Sequence, residues 1–449
     1  MSYGKDGRIE LANKSAHSYI INDPIVKDFL NKSKLPKRVD DVFIKVDDVF
    51  ILDDAIDNPI DNVIVIDGSR STVSVIKEFP SSEFTFFQFG ALKFSISHLE
   101  ELSCQKFIGP EDIAKLKEEF GRLKFVVPTK NITYDEEYSL KSSFRRVIFE
   151  FFCSDFSVKF FDTPVIDNFI ETLKWLIFEE FESYNSYEWK LATCPHCDKT
   201  ITLFKGNMVD YKFLCDECSG SIYLTDVFRF HEKVEEDLGA GGVLGYLIRL
   251  LEQIMLIHII RIILKLNPDL MHQTLFIQDG PLAFFGTTAN MHTPMQKLVN
   301  YLFKNFNLYL IGLEKNGEFP EHANEISSKL DTGDILILTT DYIYSNIKFG
   351  REKKDEAFGS STYYGNKLIF KSSTGKMFVA TLPTRENFTS PKKDDFPNID
   401  VILKNIDILK CELYDDAIIP IVLANRLVSI SDYPSSAILE KHARKEVGE

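Results

Sequence analysis

The chain has 449 residues and carries 52 Lys and Arg against 67 Asp and Glu, a formal net charge of −15. An apolar fraction of 44% and an aromatic fraction of 13% exclude disorder as the main state, and the length allows about three domains or one elaborated one. The acidity argues against a protein that grips nucleic acid by bulk electrostatics, but leaves room for a local basic groove or a carboxylate-rich metal site.

The opening MSYGKDGRIELANKS has no apolar signal core, so a cytoplasmic chain is expected. One short amphipathic stretch lies near Ile25 to Leu30. From Val42 to Phe86 the pattern changes to β-branched and aromatic runs. Asn62-VIVID-Gly68 reads as a strand ending at Asp67, Ser71-TVSVIKEF as a hairpin return, and Phe84-TFFQFGALKFSI as a third strand, together an antiparallel meander. Residues 100–190 read as mainly helical, with Glu111 to Leu123 and Val165 to Phe181 the best helices. Phe151-FCSDFSVKFFD fits a strand or a helix equally.

The apolar run from Gly241 to Leu266 contains Arg249, Glu252, Gln253, His258 and Arg261, which suits a buried helix rather than a bilayer span. The strand Thr274-LFIQD ends at Asp279, a helix covers Thr293 to Phe306, and the strand Leu308-YLIGLE follows. Short strands then alternate up to a last helix that begins near Ile419.

Two motifs carry chemistry. Cys194-Pro-His-Cys197 and Cys215-Asp-Glu-Cys218 are two CxxC knuckles with a hairpin's length of chain between them. Four thiolates brought together in this way hold a tetrahedral zinc with no open position, so the ion is structural. Either the ribbon only holds its own fold together, or it also binds DNA or a partner. His196 sits inside the first knuckle but is not needed as a ligand. The remaining cysteines, Cys104, Cys153 and Cys411, read as free thiols in a reducing compartment.

The second motif is an apolar strand ending in Asp-Gly, found at Asp67-Gly68 and again at Asp279-Gly280. Such a pair is either an ordinary turn or a carboxylate presented to a ligand beside a tightly turning backbone. Glu252 shares an apolar helix face with Leu256 and Ile260, so it needs compensation. Arg249, three residues earlier, supplies it in a simple ion pair. A divalent cation shared with Asp67 and Asp279 supplies it in the functional reading, and hard oxygen ligands suit Mg²⁺ or Mn²⁺.

With VIVIDGSR, LLEQIMLIH, LFIQDGPLAF, LIGLEKNGEF and IIPIVLANRLVSIS in this order, the chain resembles the NurA-domain nucleases. The resemblance covers roughly residues 40–95 and 225–435. It implies an α/β fold with a ribonuclease H-like mixed sheet of three antiparallel and further parallel strands between flanking helices. The core would comprise residues 1–99 and 225–449, interrupted by a helical insertion at 100–190 and a zinc ribbon at 191–224. It also implies Mn²⁺- or Mg²⁺-dependent hydrolysis of DNA, with Asp67, Glu252 and Asp279 as metal ligands. Glu235, Glu236 and Asp237 are rivals for the place of Glu252.

Where the family has an Ala-His pair, this chain reads Ala424-Asn425, and Asn cannot act as a base. His442, Tyr414 and Asp415 are the nearest substitutes in sequence. Arg70 and Lys315 are candidate DNA contacts, with ordinary loop or ion-pair roles as the alternative. His322 reads as a loop histidine, and the basic, aromatic stretch from Tyr342 to Gly365 fits single-stranded DNA or a plain exposed loop. No GxxxxGKS or GxxxxGKT segment is present, so a separate ATPase partner is expected. The resemblance implies that it is a HerA-like hexamer and that this chain forms a homodimer around DNA, and no membrane is expected. The competing reading is a non-catalytic scaffold that binds DNA or the ATPase through its core and ribbon.

Overall fold

The computed structural model describes residues 24–33, 37–76, 78, 80–97, 118–160, 163–183, 186–348, 355–410, 418–430 and 432–447. Expectations that fall on Cys104, Cys411, Tyr414 and Asp415 lie outside these residues. The elements, in chain order, are α1 (Pro24–Lys32), β1 (Val49–Ile51), β2 (Asn62–Ile76), β3 (Ser82–Ser95), β4 (Glu118–Lys130), α2 (Leu140–Cys153), β5 (Phe156–Phe160), β6 (Thr163–Asp167) and α3 (Phe169–Ile177). Then follow β7 (Glu188–Leu191), β8 (Ile201–Phe204), β9 (Lys212–Leu214), β10 (Ser221–Tyr223), α4 (Leu244–Leu266), β11 (Thr274–Asp279), α5 (His292–Asn305), β12 (Tyr309–Glu314), α6 (Glu318–Glu325), β13 (Asp334–Ile337), α7 (Thr340–Asn346), β14 (Gly365–Lys371), β15 (Met377–Pro383), α8 (Ile399–Ile408), α9 (Ile419–Val428) and α10 (Ala437–Glu446).

One nine-stranded mixed sheet, ordered β1-β13-β14-β15-β12-β11-β2-β3-β4, organises the chain. At its centre β2, β11 and β12 run parallel, while β3 and β4 continue from β2 antiparallel. Both faces are covered, so alternate residues of the central strands are apolar in both directions. Ile64, Ile66, Phe87, Phe89 and Phe276 pack with α2, α3 and α4 on one face. Val63, Val65, Leu92, Phe94, Leu275 and Ile277 pack with α8 and α9 on the other.

The mixed α/β architecture agrees with expectation; several elements do not. Ser71-TVSVIKEF is not a separate hairpin return, because the strand does not end at Asp67 and β2 runs from Asn62 to Ile76 alongside β3. The third strand of the meander is therefore Glu118–Lys130, part of which read as a helix. Helix-forming Glu and Lys in that stretch are overridden by pairing with the Phe-rich β3. The described part of 100–190 thus holds three whole strands and the start of β7 as well as two helices. Phe151-FCSDFSVKFFD divides, with helix to Cys153 and strand from Phe156. The long helix is close to its expected span: α4 begins at Leu244 after a 3-10 turn at Gly241–Val243. Among the described residues no helix is long and apolar enough to cross a membrane.

Candidate functional site

The two cysteine knuckles sit in two hairpins. Cys194 and Cys197 lie between β7 and β8; Cys215 and Cys218 lie between β9 and β10. Each knuckle closes in the same way. The Cys194 N–H donates to Lys199 O (2.8 Å) and Asp198 N–H to Cys194 O (3.0 Å). The Cys215 N–H donates to Gly220 O (3.0 Å) and Ser219 N–H to Cys215 O (2.8 Å). Asp198 and Ser219, each directly after the second cysteine, take left-handed backbone at φ 59° and 57°.

The result places all four Sγ atoms within 4.8 Å of one another, with Cys194–Cys218 at 3.9 Å and Cys197–Cys215 at 3.8 Å. Thiolates around a tetrahedral zinc, with Zn–S of about 2.3 Å, stand about 3.8 Å apart, so the donor set and spacing fit a metal ion. His196 is not a donor: its Nε2 bonds Ser221 O at 2.8 Å, and its ring fills the space beside Gly220, where a Cβ would stand 2.5 Å from it. Cys194 and Cys215 are also part of the core that includes α4, so the ribbon is built into the protein rather than hung on it.

The carboxylates meet at the other end of the sheet. β2 and β11 are parallel neighbours with Ile66 opposite Gln278, so Asp67 and Asp279 follow side by side. Strand alternation sends both to the face covered by α8 and α9. Glu252 comes from α4 on the opposite face. It reaches the pair over Gly68, where a Cβ would lie 3.1 Å from Glu252 Oε1 and 2.6 Å from Ile248. Gly68 is therefore needed for close approach of a helix, not for the turn its sequence suggests. Gly280 does turn, at φ 114°, and a Cβ there would stand 2.6 Å from Arg249 Nη1.

Asp67, Glu252 and Asp279 all line one open cavity of about 790 Å³, together with Arg70, Arg249, Lys315 and Asn425. The three carboxylates do not close to within 4.8 Å of each other as the cysteines do. Two cations stand among them. Arg249 Nη1 donates to Glu252 Oε2 (3.1 Å) and to Asp279 O (2.5 Å), and Gln278 Nε2 to Glu252 Oε2 (3.3 Å). Lys315 Nζ donates to Asp279 Oδ2 at 2.9 Å. Glu252 thus has its ion pair with Arg249, and it lines the same cavity as the two aspartates.

Asp67 is less well served. It is 5% exposed, and its Oδ2 has no hydrogen-bond partner. Burial, and secondarily the negative charge of Asp279, push its carboxyl up to about 7. Burial pushes Glu252 up to about 8, against the pull of Arg249. An orphaned buried oxygen among hard oxygen donors is what a divalent cation would satisfy, so these residues fit one.

Other candidates fall elsewhere. His442 lies on α10, largely exposed, 4.0 Å from Glu446, and does not line the cavity; no histidine among the described residues does. Glu236 caps α2, accepting from Leu140 N–H at 2.8 Å. Neither it nor Glu235 nor Asp237 reaches the cavity. His322 is buried in α6 against the Tyr342 hydroxyl (2.9 Å). Arg70 is exposed at the rim and makes no ion pair among the described residues.

The stretch from Tyr342 begins as helix and contributes Lys348 and Tyr363 to the wall. Glu314, at the end of β12, was missed, although it repeats the signal of a carboxylate ending an apolar strand. It pairs with the buried Lys367, which also lies 4.4 Å from the Phe319 ring.

No family model matches this chain, and no curated protein matches it. Among solved structures, the crystal structure of the NurA nuclease from Sulfolobus solfataricus aligns over 97% of both chains, at 10% identity and a TM-score of 0.32.

Proposed function

We propose that the protein is a divalent-metal-dependent deoxyribonuclease with a ribonuclease H-like core, hydrolysing phosphodiester bonds in the cavity at the end of β11. The observation that carries this reading is the pairing of Asp67 with Asp279 on adjacent parallel strands, with Glu252 brought over Gly68 and Asp67 Oδ2 left orphaned. Asp67, Glu252 and Asp279 would hold Mn²⁺ or Mg²⁺. When bound, such an ion neutralises charge on the phosphate and makes water more acidic. Cys194, Cys197, Cys215 and Cys218 would hold a structural Zn²⁺.

The chain's own groups divide the remaining work. Arg70, unpaired at the rim, receives the phosphate backbone. Lys315 is tethered to Asp279 and serves the phosphate only by leaving it. Hydrolysis forms a bond between water oxygen and phosphorus, breaks the ester P–O bond and moves one proton to the departing oxygen. Asn425 can orient water or phosphate by hydrogen bonds but cannot take that proton. Among the described residues no histidine lines the cavity, and the acceptor there is a cavity carboxylate or bulk water.

The resemblance in sequence motifs further suggests a HerA-like hexameric ATPase as partner, a homodimer around DNA, a cytoplasmic setting, and a role in DNA end processing or defence against phage. The test is cleavage of end-labelled single- and double-stranded DNA with Mn²⁺. Asp67→Asn and Asp279→Asn should each lower the rate at least about 10³-fold, roughly 4 kcal/mol. Cutting that survives both substitutions rejects the site. The second reading, a non-catalytic scaffold, draws on Asn425 at the place of the family histidine. Tight DNA binding without cutting, alone or with the ATPase, would select it.

A further inference from the structure

The cavity's charge arrangement says how many metal ions it can hold. Five charged groups form its inner cluster: Asp67, Glu252 and Asp279 against Arg249 and Lys315. The other lining charges are paired in the wall, Glu314 with Lys367 and Glu318 with Lys348, or stand at the rim as Arg70 does. Ionised, as ligands to a metal must be, three carboxylates against two cations leave one negative charge. A single divalent ion turns this to one positive charge, suited to a phosphodiester. Two would leave three positive charges in a half-enclosed space, with no anion on the protein to balance them.

Donor atoms give the same count. Asp279 Oδ2 is engaged by Lys315, and Glu252 Oε2 by both Arg249 and Gln278. Asp67 Oδ2 is unpartnered. With one oxygen of Glu252 and one of Asp279 so engaged, and the three carboxylates not all within 4.8 Å of one another, they can supply one octahedral ion with one oxygen each only by drawing together around it, water and substrate completing the shell.

Arg249 is held at two points. Its Nη1 bridges Glu252 and the Asp279 carbonyl, and its guanidinium, although the side chain is 45% exposed, lies against Gly280. Lys315 is held by a single bond to Asp279, and a point-charge ammonium on a flexible stem leaves more readily than a bridging guanidinium.

We infer that this cavity takes one divalent cation per chain and that Arg249 supplies, as a built-in guanidinium, the positive charge that a second ion would otherwise bring to the substrate phosphate. The inference rests on the metal-site reading proposed above, and the two can fail separately. The probe is Mn²⁺ itself, titrated into the full-length protein with its cysteine site loaded with zinc, followed by electron paramagnetic resonance and calorimetry.

One Mn²⁺ per chain with a magnetically isolated signal is expected, lost in Asp67→Asn. Arg249→Gln should admit a second ion, doubling the stoichiometry and broadening the signal by coupling between neighbouring ions. Two ions in the wild type, or one in both wild type and Arg249→Gln, overturns the role of Arg249 and leaves the nuclease reading standing. No Mn²⁺ binding to a folded wild type overturns the metal-site reading itself.

Discussion

The zinc ribbon and the carboxylate cavity are both gatherings of anions, but they are assembled in opposite ways. The ribbon takes its four thiols from one short stretch and packs them within 4.8 Å, and its nearby Lys199 is paired with Glu217 rather than with a thiol. The cavity draws Asp67, Glu252 and Asp279 from a strand, a helix and another strand far apart in sequence, and places Arg249 and Lys315 between them. Four thiolates with no counter-charge need an ion to stay together. Three carboxylates with two cations are most of the way to neutrality without one. The difference separates a site that would need its metal to hold the fold from a site whose proposed metal could come and go.

The largest effect should follow from breaking the ribbon. Because Cys194 and Cys215 share a core with α4, chelating the zinc or making Cys215→Ser should cost on the order of 5 kcal/mol or more and open residues near the knuckles to protease. Removing Mn²⁺ from the cavity should leave the thermal transition nearly in place. If both chelations shift it equally, the distinction fails.

Asp67→Asn sharpens the contrast from the other side. It should abolish cutting yet stabilise the metal-free chain by roughly 1–3 kcal/mol, since it removes a buried, half-orphaned charge. Urea unfolding in the presence of a chelator that spares the zinc reads this directly, and a loss of stability would contradict it.

A smaller, graded effect is expected with pH. Asp67 and Glu252 titrate at about 7 and about 8 in the folded chain, both above their ordinary values. Their contribution to stability is therefore full below the ordinary carboxylate range and is lost as pH rises through 7 to 8. Saturating Mn²⁺ should flatten that slope, because the ion replaces the protons. Gly280→Ala should have the least effect, on the order of 1–2 kcal/mol from its left-handed backbone and the displaced Arg249, measured as a shift in the urea midpoint.

What could be read from the sequence divides along the same line. The knuckles were legible because their contacts are local: spacing alone dictates that two CxxC turns converge. Asp67, Asp279 and Glu252 were legible as residues, since a carboxylate on an apolar strand or helix face stands out. Their setting was not. Gly68 looks like a turn, yet β2 runs on for eight residues past it because β3 offers a continuous ladder. Lys315 looks free for phosphate, yet it is bound to Asp279, a contact set by the β11–β12 register. The Glu-rich start of β4 follows helix propensity until a partner strand overrides it. His442 seemed available as a replacement base until its helix placed it away from the cavity.

The sheet's strand order has a consequence in time. β2 is made early, but its parallel neighbour β11, the Lys315 that follows β12, and the Asn425 on α9 come only after the whole ribbon has emerged. A growing chain can close its cysteine site while the carboxylate cavity is still half unmade. Whatever chemistry the cavity performs, a nascent or prematurely ended polypeptide cannot perform it, and the long-range pairing of β2 with β11 acts as the protein's own arming step.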